Sequence, residues 1–78
     1  MDRDKLTFAL AHRMHFIDFL LWEYGSINRR AICVFFGLSA PQASNDFSMY
    51  QELAPGNMEY DLKEKAYKRT RAFVRVFP

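Results

Sequence analysis

The stretch FGLSAPQASNDFSMYQELAPGN, residues 36–57, contains the signals that decide the fold. Gly37 is the residue type that ends a helix, and Ser39 followed by Gln42 is a capping box that opens another. Pro41 fits the first turn of this next helix, and the Pro-Gly pair near the end of the stretch stops it. The stretch therefore predicts two helices joined by a turn of three residues.

Apolar residues on either side of this turn predict the faces of three helices. The first helix is expected from about Asp4 to Tyr24, and Asn28 is a good N-cap for the second. The stripe expected on the first helix is Leu6, Leu10, Met14, Ile17, Leu20, Leu21 and Tyr24. The inward faces expected on the second and third helices are Ala31, Ile32, Phe35 and Phe36, then Ala40, Ala43, Phe47, Tyr50 and Ala54.

Two short extended runs follow, at residues 58–60 and 66–68, around the polar turn 61–65. They predict a β-hairpin. The predicted order is three helices, with a tight turn between the second and the third, followed by a hairpin. This is the order of a winged helix-turn-helix, a mainly α fold in which the hairpin is the wing. We expect this domain over residues 1–70, with RAFVRVFP (71–78) as a linker or first strand that leads toward a further region.

Composition places the chain among small folded domains. It has 78 residues, of which 50% are hydrophobic and 17% aromatic, so disorder is not expected. The net charge is only +2, but basic residues concentrate near the C-terminus, which suits an anionic partner or, alternatively, a solvated tail. These residues are Lys63, Lys65, Lys68, Arg69, Arg71 and Arg75.

Several functional classes are not expected. Cys33 has no second cysteine to pair with, which fits a buried thiol in a reducing cytoplasm. No apolar run is long enough to cross a membrane, and no signal peptide is recognisable. No catalytic triad or glycine-rich phosphate loop is present, and His12 and His15 lack the other ligands of a metal site. The sequence predicts a cytoplasmic protein that is not an enzyme and has no metal or cofactor.

The outward side of the third helix carries neutral hydrogen-bonding groups instead of Lys and Glu. With Phe47 placed inward, Gln42, Asn45 and Ser48 point outward, with Ser44 at the margin. Gln and Asn can make two hydrogen bonds to an adenine edge in the major groove, and Ser can contact several bases. We predict that these residues read bases in double-stranded DNA; the alternative is a polar face on a protein-binding helix.

Cations elsewhere would hold the DNA backbone. Arg29 and Arg30 occupy the first turn of the second helix, where the helix dipole disfavours them, so phosphate contact is a reason for their presence. Lys63 and Lys65 lie at the wing tip and Arg69 along its strand. The N-terminus of the third helix, at Ser39, also favours phosphate oxygens. Solubility is the alternative explanation for these charges.

A second stripe runs along the other side of the first helix, and we call it the aromatic seam. A domain this small covers two stripes of one helix with difficulty, so the seam is expected to pack on another chain or another domain. Packing on the C-terminal segment is the alternative. The seam consists of Phe8, His12, His15, Phe19 and Trp22.

The runs RMHFIDFLLWEYGSINRRAI (13–32) and FGLSAPQASNDFSMYQELAPGNMEYD (36–61) resemble a known family. It is the N-terminal winged helix-turn-helix of bacterial WYL-domain transcriptional regulators, in particular the repressors beside BREX- and CBASS-type anti-phage defence systems. The resemblance covers about residues 13–67. It implies a recognition helix at 39–53, a wing at 58–69, and a nucleoid-associated homodimeric repressor on an inverted-repeat operator. In that family a separate WYL domain senses ligands, so no small-molecule site is expected in this chain.

Two other interpretations stay open. One is a winged helix that binds proteins through Phe8, Phe19 and Trp22 while the third helix is inert. The other is a small standalone regulator that binds DNA without further domains. The ending RAFVRVFP departs from the linker that the resemblance leads us to expect.

Overall fold

The described part of the chain folds into three helices and three short strands. A computed structural model of the protein describes residues 7–77. The helices are α1 (Phe8–Tyr24), α2 (Arg29–Phe36) and α3 (Ala40–Leu53). The strands are β1 (Ser26–Ile27), β2 (Met58–Asp61) and β3 (Ala66–Arg69). This is the predicted winged helix-turn-helix, with α2 and α3 as the helix-turn-helix and β2–β3 as the wing.

Local capping sets the helix ends, as predicted. The Asn28 side chain accepts a hydrogen bond from the Ala31 N–H at 2.8 Å and starts α2. Ser39 and Gln42 form both bonds of the capping box at the start of α3. Gly37 ends α2 with a φ of 68°, a left-handed conformation that favours glycine.

The start of α1 differs from the prediction. Thr7 has an extended backbone, and its hydroxyl accepts from the Leu10 N–H at 3.2 Å, so the helix begins at Phe8 and not at Asp4. The reason is that a Thr hydroxyl at this position satisfies an N–H group that has no partner inside the helix. Asp4 and Leu6, which were assigned to the helix, lie outside the described residues.

The core lies where the three helices and the sheet meet. Within it, Met14, Ile17, Leu21, Ile32, Ala43 and Tyr50 are fully buried. Phe47, Ile27 and Met58 are also in the core. Burial of these large apolar side chains is the main source of stability in a domain of this size.

Three residues assigned to inward faces lie outside the core. Tyr24 is 72% exposed and Phe35 is 64% exposed, and Ala40 is exposed at the first turn of α3. Ile32 occupies the core position of the short helix α2, so Phe35 lies at its margin and stacks on Phe16 with ring centroids 4.6 Å apart. These assignments were therefore wrong.

A buried ion pair joins α1 to α3. The Arg13 guanidinium donates to both carboxylate oxygens of Asp46, from Nε at 2.6 Å and from Nη2 at 3.3 Å. The Asp46 side chain is only 4% exposed, so this two-pronged contact compensates the burial of its charge. The helix that carries the predicted base-reading residues is thus oriented by a polar contact as well as by apolar packing.

The sheet includes a strand that the sequence did not predict. β1 pairs with β3 in antiparallel register, Ile27 opposite Tyr67, and gives the strand order β1-β3-β2. Two residues are too few to show an alternating pattern. Its pairing attaches the wing to the link between α1 and α2.

Aromatic stacking attaches the wing to α3. The Tyr67 ring on β3 stacks on Phe47 of α3, with centroids 4.2 Å apart and an interplanar angle of 16°. Tyr60 on β2 stands opposite Tyr67 and packs edge-on against it at 4.9 Å. The position of the wing relative to α3 is therefore set by side chains of the sheet.

The segment at 73–77 packs against the domain. Phe73, Val76 and Phe77 lie against the core cluster, and the Asn57 side chain bonds to both backbone groups of Val74. The predicted boundary at residue 70 stays a prediction. Arg75 and its neighbours nevertheless touch α1, since the Arg75 guanidinium lies 4.9 Å over the Trp22 ring.

Candidate nucleic-acid interface

The outward side of α3 presents polar side chains to solvent. Gln42, Asn45 and Ser48 are all exposed, and none of them lies inside the protein or under the wing. Ser44 is half-buried and faces α2. The helix thus carries uncharged hydrogen-bonding groups at these positions, and side chains of this type can contact base edges in the major groove.

The capping box restricts what Gln42 can do. Its Oε1 accepts from the Ser39 N–H at 2.9 Å, so its amide oxygen is already bonded and its Nε2 group remains to donate. A paired contact with adenine needs the amide oxygen and the amide nitrogen together. In this geometry Gln42 is a donor to base acceptors, and a paired adenine contact would break the cap.

The Asn45 side chain is not part of the capping box. Among residues 7–77, neither the Asn45 amide nor the Ser48 hydroxyl makes a hydrogen bond. Both the acceptor and the donors of the Asn45 amide are therefore available to an outside partner. Of the predicted base-reading residues, Asn45 is the one with the groups for a paired contact with adenine.

The N-terminus of α3 has fewer free donors than the sequence led us to expect. The Gln42 N–H donates to Ser39 Oγ at 3.3 Å, and Pro41 has no N–H. In the described part of the chain, the Ala40 N–H is the first-turn donor left without a partner. Ser39 can still donate its hydroxyl proton to a phosphate, so the site offers two donors instead of a full turn.

A cleft of about 650 Å³ lies between the start of α2, the start of α3 and the wing. Within it, Arg29 Nη1 donates to Ser44 Oγ at 3.2 Å, which ties the first turn of α2 to α3. The remaining guanidinium donors of Arg29 are available for an anion, because Arg has five N–H groups. Ser44 therefore supports Arg29 directly, in addition to any contact with a base.

Positive charge predominates in this cleft. Arg30 and Lys65 line it together with Arg29, and the acid present is Glu64. Glu64 forms an ion pair with Lys68 at 2.5 Å, which neutralises part of its charge. This contact raises the pKa of the Lys68 ammonium. The cleft thus has the charge and the donors to hold phosphate groups.

The wing tip carries one more of the predicted phosphate contacts. The turn is held by the Asp61 carboxylate, which accepts from the N–H groups of Lys63 at 2.9 Å and Glu64 at 3.0 Å. Lys63 is exposed on this turn, and Lys65 follows it with a φ of 55°. The turn therefore places two exposed ammonium groups at the end of the hairpin.

The structure does not bring Arg69 together with these residues. Arg69 pairs with Met58 at the base of the hairpin, and its Nη1 donates to the Trp22 carbonyl at 2.8 Å. A cation near carbonyl groups at a helix C-terminus is favoured by the helix dipole. In this position the Arg69 guanidinium caps α1.

Sequence reasoning missed two residues of the cleft, Tyr60 and Tyr67. Tyr60 is 48% exposed and presents a ring and a hydroxyl beside the basic side chains. Burial raises the pKa of Tyr67, the neighbouring Tyr60 raises it further, and the charge of Arg29 opposes this shift. The spacing of Tyr60 and Tyr67 on the two strands was a possible signal, but their pairing depends on the hairpin register.

The aromatic seam divides into two parts. Phe8 is 89% exposed and lies beside His12, whose ring packs edge-on against Phe36 at 5.6 Å. At the other end, His15 stacks on Phe77 at 5.7 Å, and Trp22 lies under Arg75. Residues 75–77 therefore contact part of the seam, while Phe19 and Trp22 keep 42% and 46% of their surface exposed.

Exposed apolar surface continues from the seam onto α2. Val34 is 74% exposed and Phe35 is 64% exposed. Phe35 belongs to an aromatic cluster with Phe16 and Phe36. The sequence did not single out this surface, because Phe35 was assigned to the inward face of its helix. Surface of this kind marks contact sites in many proteins.

Residues 7–77 contain neither a metal-binding cluster nor a membrane-spanning helix. No group of three or more His, Cys, Asp or Glu side chains is arranged to hold a metal ion. No helix in this range combines the length and the apolar character needed to cross a bilayer.

Known proteins resemble this chain over nearly its whole length. The DNA-binding transcriptional repressor CapW of Escherichia coli strain KTE188 is 48% identical over 75 residues, which is 96% of this chain. The protein of the same name from Pseudomonas aeruginosa is 47% identical over 76 residues, and that from Stenotrophomonas maltophilia is 42% identical over 69 residues. These cover 97% and 88% of this chain.

The chain spans about a quarter of the length of these curated relatives, with 25%, 25% and 23% of each one matched. A family model described as the BrxR transcriptional regulator winged helix-turn-helix domain matches residues 9–78. The match includes α2, α3, the wing and all of α1 except Phe8. The chain belongs to the family of BrxR transcriptional regulator winged helix-turn-helix domains.

Proposed function

We propose that this chain is the DNA-binding domain of a bacterial transcriptional regulator and binds duplex DNA in a sequence-specific way. In this proposal α3 enters the major groove, and Asn45 and Ser48 contact base edges together with the Nε2 group of Gln42. Ser44 contributes at the margin of the contact and supports Arg29. The regulator acts as a repressor in the cytoplasm, on nucleoid DNA.

The main support for this proposal is the position of Asn45 and Ser48 beside the basic cleft. Asn45 and Ser48 are exposed on α3 with no hydrogen bond among the described residues, beside a cleft that holds Arg29, Arg30 and Lys65. Hydrogen-bonding side chains can read base edges, and neighbouring cations can hold the phosphate backbone. The relatives named DNA-binding transcriptional repressors support the same function.

Phosphate contacts are assigned to the cleft, the wing tip and the start of α3. Arg29 and Arg30 reach the backbone from α2, and Lys63 and Lys65 reach it from the wing. The Ser39 hydroxyl donates to a phosphate at the N-terminus of α3. Arg69 was predicted as a further phosphate contact, but its bond to the Trp22 carbonyl favours a role inside the domain.

The operator is proposed to be an inverted repeat bound by two copies of the chain. Two copies related by a two-fold axis would place two α3 helices about one DNA turn apart, roughly 34–36 Å. The exposed part of the aromatic seam, with Phe8 and Phe19, is proposed as a dimer or interdomain contact. Phe8 and Phe19 lie on α1, whereas the proposed base-reading residues lie on α3, so the two contacts use different residues.

Selection of bound fragments from random duplex DNA tests this function. We expect a conserved motif in the selected fragments, with two half-sites in opposite orientation. Full-length sites should bind more tightly than single half-sites. Retention of fragments without any shared motif would contradict sequence-specific binding, and a motif without symmetry would contradict the dimer.

A protein-binding role is the second candidate, favoured by the exposure of Phe8, Phe19 and Trp22. A gel shift with mixed genomic DNA at low salt separates the two functions. The DNA-binding domain should retard the DNA, whereas a domain that binds only proteins should leave its mobility unchanged.

A further inference from the structure

A buried carboxylate connects α1 to the segment at 73–77. Asp18 on α1 is fully buried, and its oxygens accept from the backbone N–H groups of Val76 and Phe77, each at 3.1 Å. The Arg75 Nε lies 3.8 Å from Asp18 Oδ2. A buried carboxylate is costly unless such donors surround it, so Asp18 depends on this segment for part of its hydrogen bonds.

The same carboxylate holds α3. The Tyr50 hydroxyl on α3 donates to Asp18 Oδ1 at 2.6 Å, and the Tyr50 side chain is fully buried. Burial, together with the hydrogen bond to Asp18, raises the pKa of Tyr50. The Tyr50 hydroxyl therefore stays protonated and keeps its role as a donor.

Asn57 makes a second connection between α3 and the segment. Its Nδ2 donates to the Tyr50 hydroxyl at 3.1 Å and to the Val74 carbonyl at 2.7 Å. Its Oδ1 accepts from the Val74 N–H at 3.0 Å. Asn57 is itself only 4% exposed, so these bonds are not replaced by water.

Asp18 and Asn57 thus each bond to both α3 and the segment. Their common partner on α3 is Tyr50, which lies five residues after Asn45 and two after Ser48. Apolar contacts such as that of Phe47 tolerate small rotations of a helix, but directional hydrogen bonds in a buried site do not. Loss of the segment's donors would leave Asp18 with fewer partners and favour movement of Tyr50.

We propose that residues 73–77 form a latch that positions α3 for DNA reading through Asp18, Asn57 and Tyr50. This inference rests on the proposed function for its consequence, since the DNA affinity is what the latch would control. Release of the latch lowers affinity for the selected DNA site more than affinity for random DNA. Tyr50 is a positioning residue in this scheme, because it acts through the helix that carries Asn45.

The experiment uses the full chain with Tyr50→Phe and Phe77→Ala, singly and together. Tyr50→Phe keeps the buried ring and removes the hydroxyl that bonds to Asp18. Phe77→Ala keeps the backbone N–H but removes the ring that stacks on His15. Val74→Ala is the control, because its side chain is 73% exposed and its two backbone bonds to Asn57 are retained.

Each variant is assayed for affinity to the selected site and to random DNA, well below its melting temperature. We expect each of the two variants to lose about fivefold in affinity for the selected site. Tyr50→Phe removes one buried hydrogen bond, and Phe77→Ala removes the ring contact between the segment and α1. Affinity for random DNA should stay within the error of the control. In the double variant the second substitution should add little, because both act through the same cluster.

Backbone amide shifts of Asn45 and Ser48, measured by NMR without DNA, provide a readout independent of binding. They should change in both variants and not in Val74→Ala. Unchanged shifts together with unchanged specific affinity would overturn the latch. Equal losses on both DNAs, in proportion to a loss of folded protein, would also overturn it and leave only a structural role.

Failure of the proposed function gives a different result. In that case the unsubstituted chain shows no preference for any selected sequence. The amide shifts of Asn45 and Ser48 are then the only test of the latch. If these shifts change in Phe77→Ala and Tyr50→Phe but not in Val74→Ala, the segment positions α3. If they do not change, the latch is rejected.

Discussion

Asn45 and Gln42 are both exposed amides on α3, but their hydrogen bonds differ. Gln42 uses its Oε1 to accept from Ser39 and so helps to start the helix. Asn45 keeps its amide oxygen and nitrogen for an outside partner. At the scale of single residues, a side chain that completes a cap has fewer groups left for recognition than its exposure indicates.

This difference leads to a prediction for alanine substitutions. Asn45→Ala should cost about 1–3 kcal/mol on the selected DNA site with little change on random DNA, because a base contact is lost. Gln42→Ala should lower both the melting temperature and the specific affinity, because it also removes one bond of the capping box. Binding titrations and thermal melts measure these effects.

Gln51→Ala is the matched control for these substitutions. Gln51 is an exposed amide on the same helix, bonded weakly to the Pro55 carbonyl at 3.5 Å and distant from the N-terminal half of α3. Its substitution should leave the specific affinity unchanged. A loss in Asn45→Ala no larger than in this control would remove Asn45 from the contact.

The wing is an element whose two ends differ in their contacts. Lys63 and Lys65 are exposed at its tip, whereas Arg69 at its base is bonded to the C-terminal end of α1. The stack of Tyr67 on Phe47 sets how far the tip stands from α3. Cations at the tip and at the base of the hairpin therefore cannot be assigned the same function from sequence position alone.

Salt dependence distinguishes the two ends. Lys63→Ala should weaken binding to all DNA sequences and flatten the plot of log affinity against log salt by about 0.9 for one phosphate contact. Arg69→Ala should lower the melting temperature and leave that slope unchanged. Affinities measured over a range of salt concentrations give both slopes.

Two results would contradict this division of the wing. If Lys63→Ala leaves the slope as it is, the tip does not contact phosphate. If Arg69→Ala flattens the slope instead, the guanidinium leaves the Trp22 carbonyl when DNA binds, and the original assignment of Arg69 to phosphate is correct.

At the scale of the whole molecule, exposed apolar side chains lie on α1 and α2. Phe8 is 89% exposed on α1, and Val34 and Phe35 are exposed on α2. Exposure of large apolar side chains such as these is costly in water for a small domain. A second copy or another domain that covers this surface would offset the cost.

Phe8→Ser tests the role of this surface in self-association. We expect about a tenfold weaker dimer without loss of thermal stability, because the side chain is already exposed in the single chain. Sedimentation over a range of concentrations measures the association. Val74→Ser removes a comparably exposed side chain outside the seam and should leave it unchanged; an equal effect of both substitutions would argue against the seam.

Stability should fall at alkaline pH. Burial and the bond to Asp18 raise the pKa of Tyr50 above its usual value of 10.0, so the folded chain retains a proton that the unfolded chain releases. This contribution is fully present below about pH 10 and is lost as the pH rises further. Tyr67 contributes in the same direction.

Urea unfolding at about pH 8 and about pH 11 measures this dependence. The unsubstituted chain should be less stable at the higher pH. Tyr50→Phe should be less stable than the unsubstituted chain at the lower pH and should show a smaller decrease between the two. An equal decrease in both chains would mean that Tyr50 does not contribute to the pH dependence.

The sequence by itself determined the local features of this protein. Asn28, the Ser39–Gln42 pair and Gly37 act through neighbours a few residues away, so the ends of α2 and α3 could be read directly. The same holds for the wing turn and for the exposed polar side of α3. These features follow from short-range backbone bonding and helix periodicity, which need no knowledge of the rest of the fold.

Only the tertiary structure decided which polar groups are buried and where the cations point. Asp18 bonds to residues 32, 58 and 59 positions away, and Arg69 bonds to a carbonyl 47 positions away. The pairing of β1 with β3 has the same origin. Such contacts join residues that are far apart in the sequence and depend on how the helices and the sheet pack around the core. The residue type at each position does not reveal which distant residue will lie beside it.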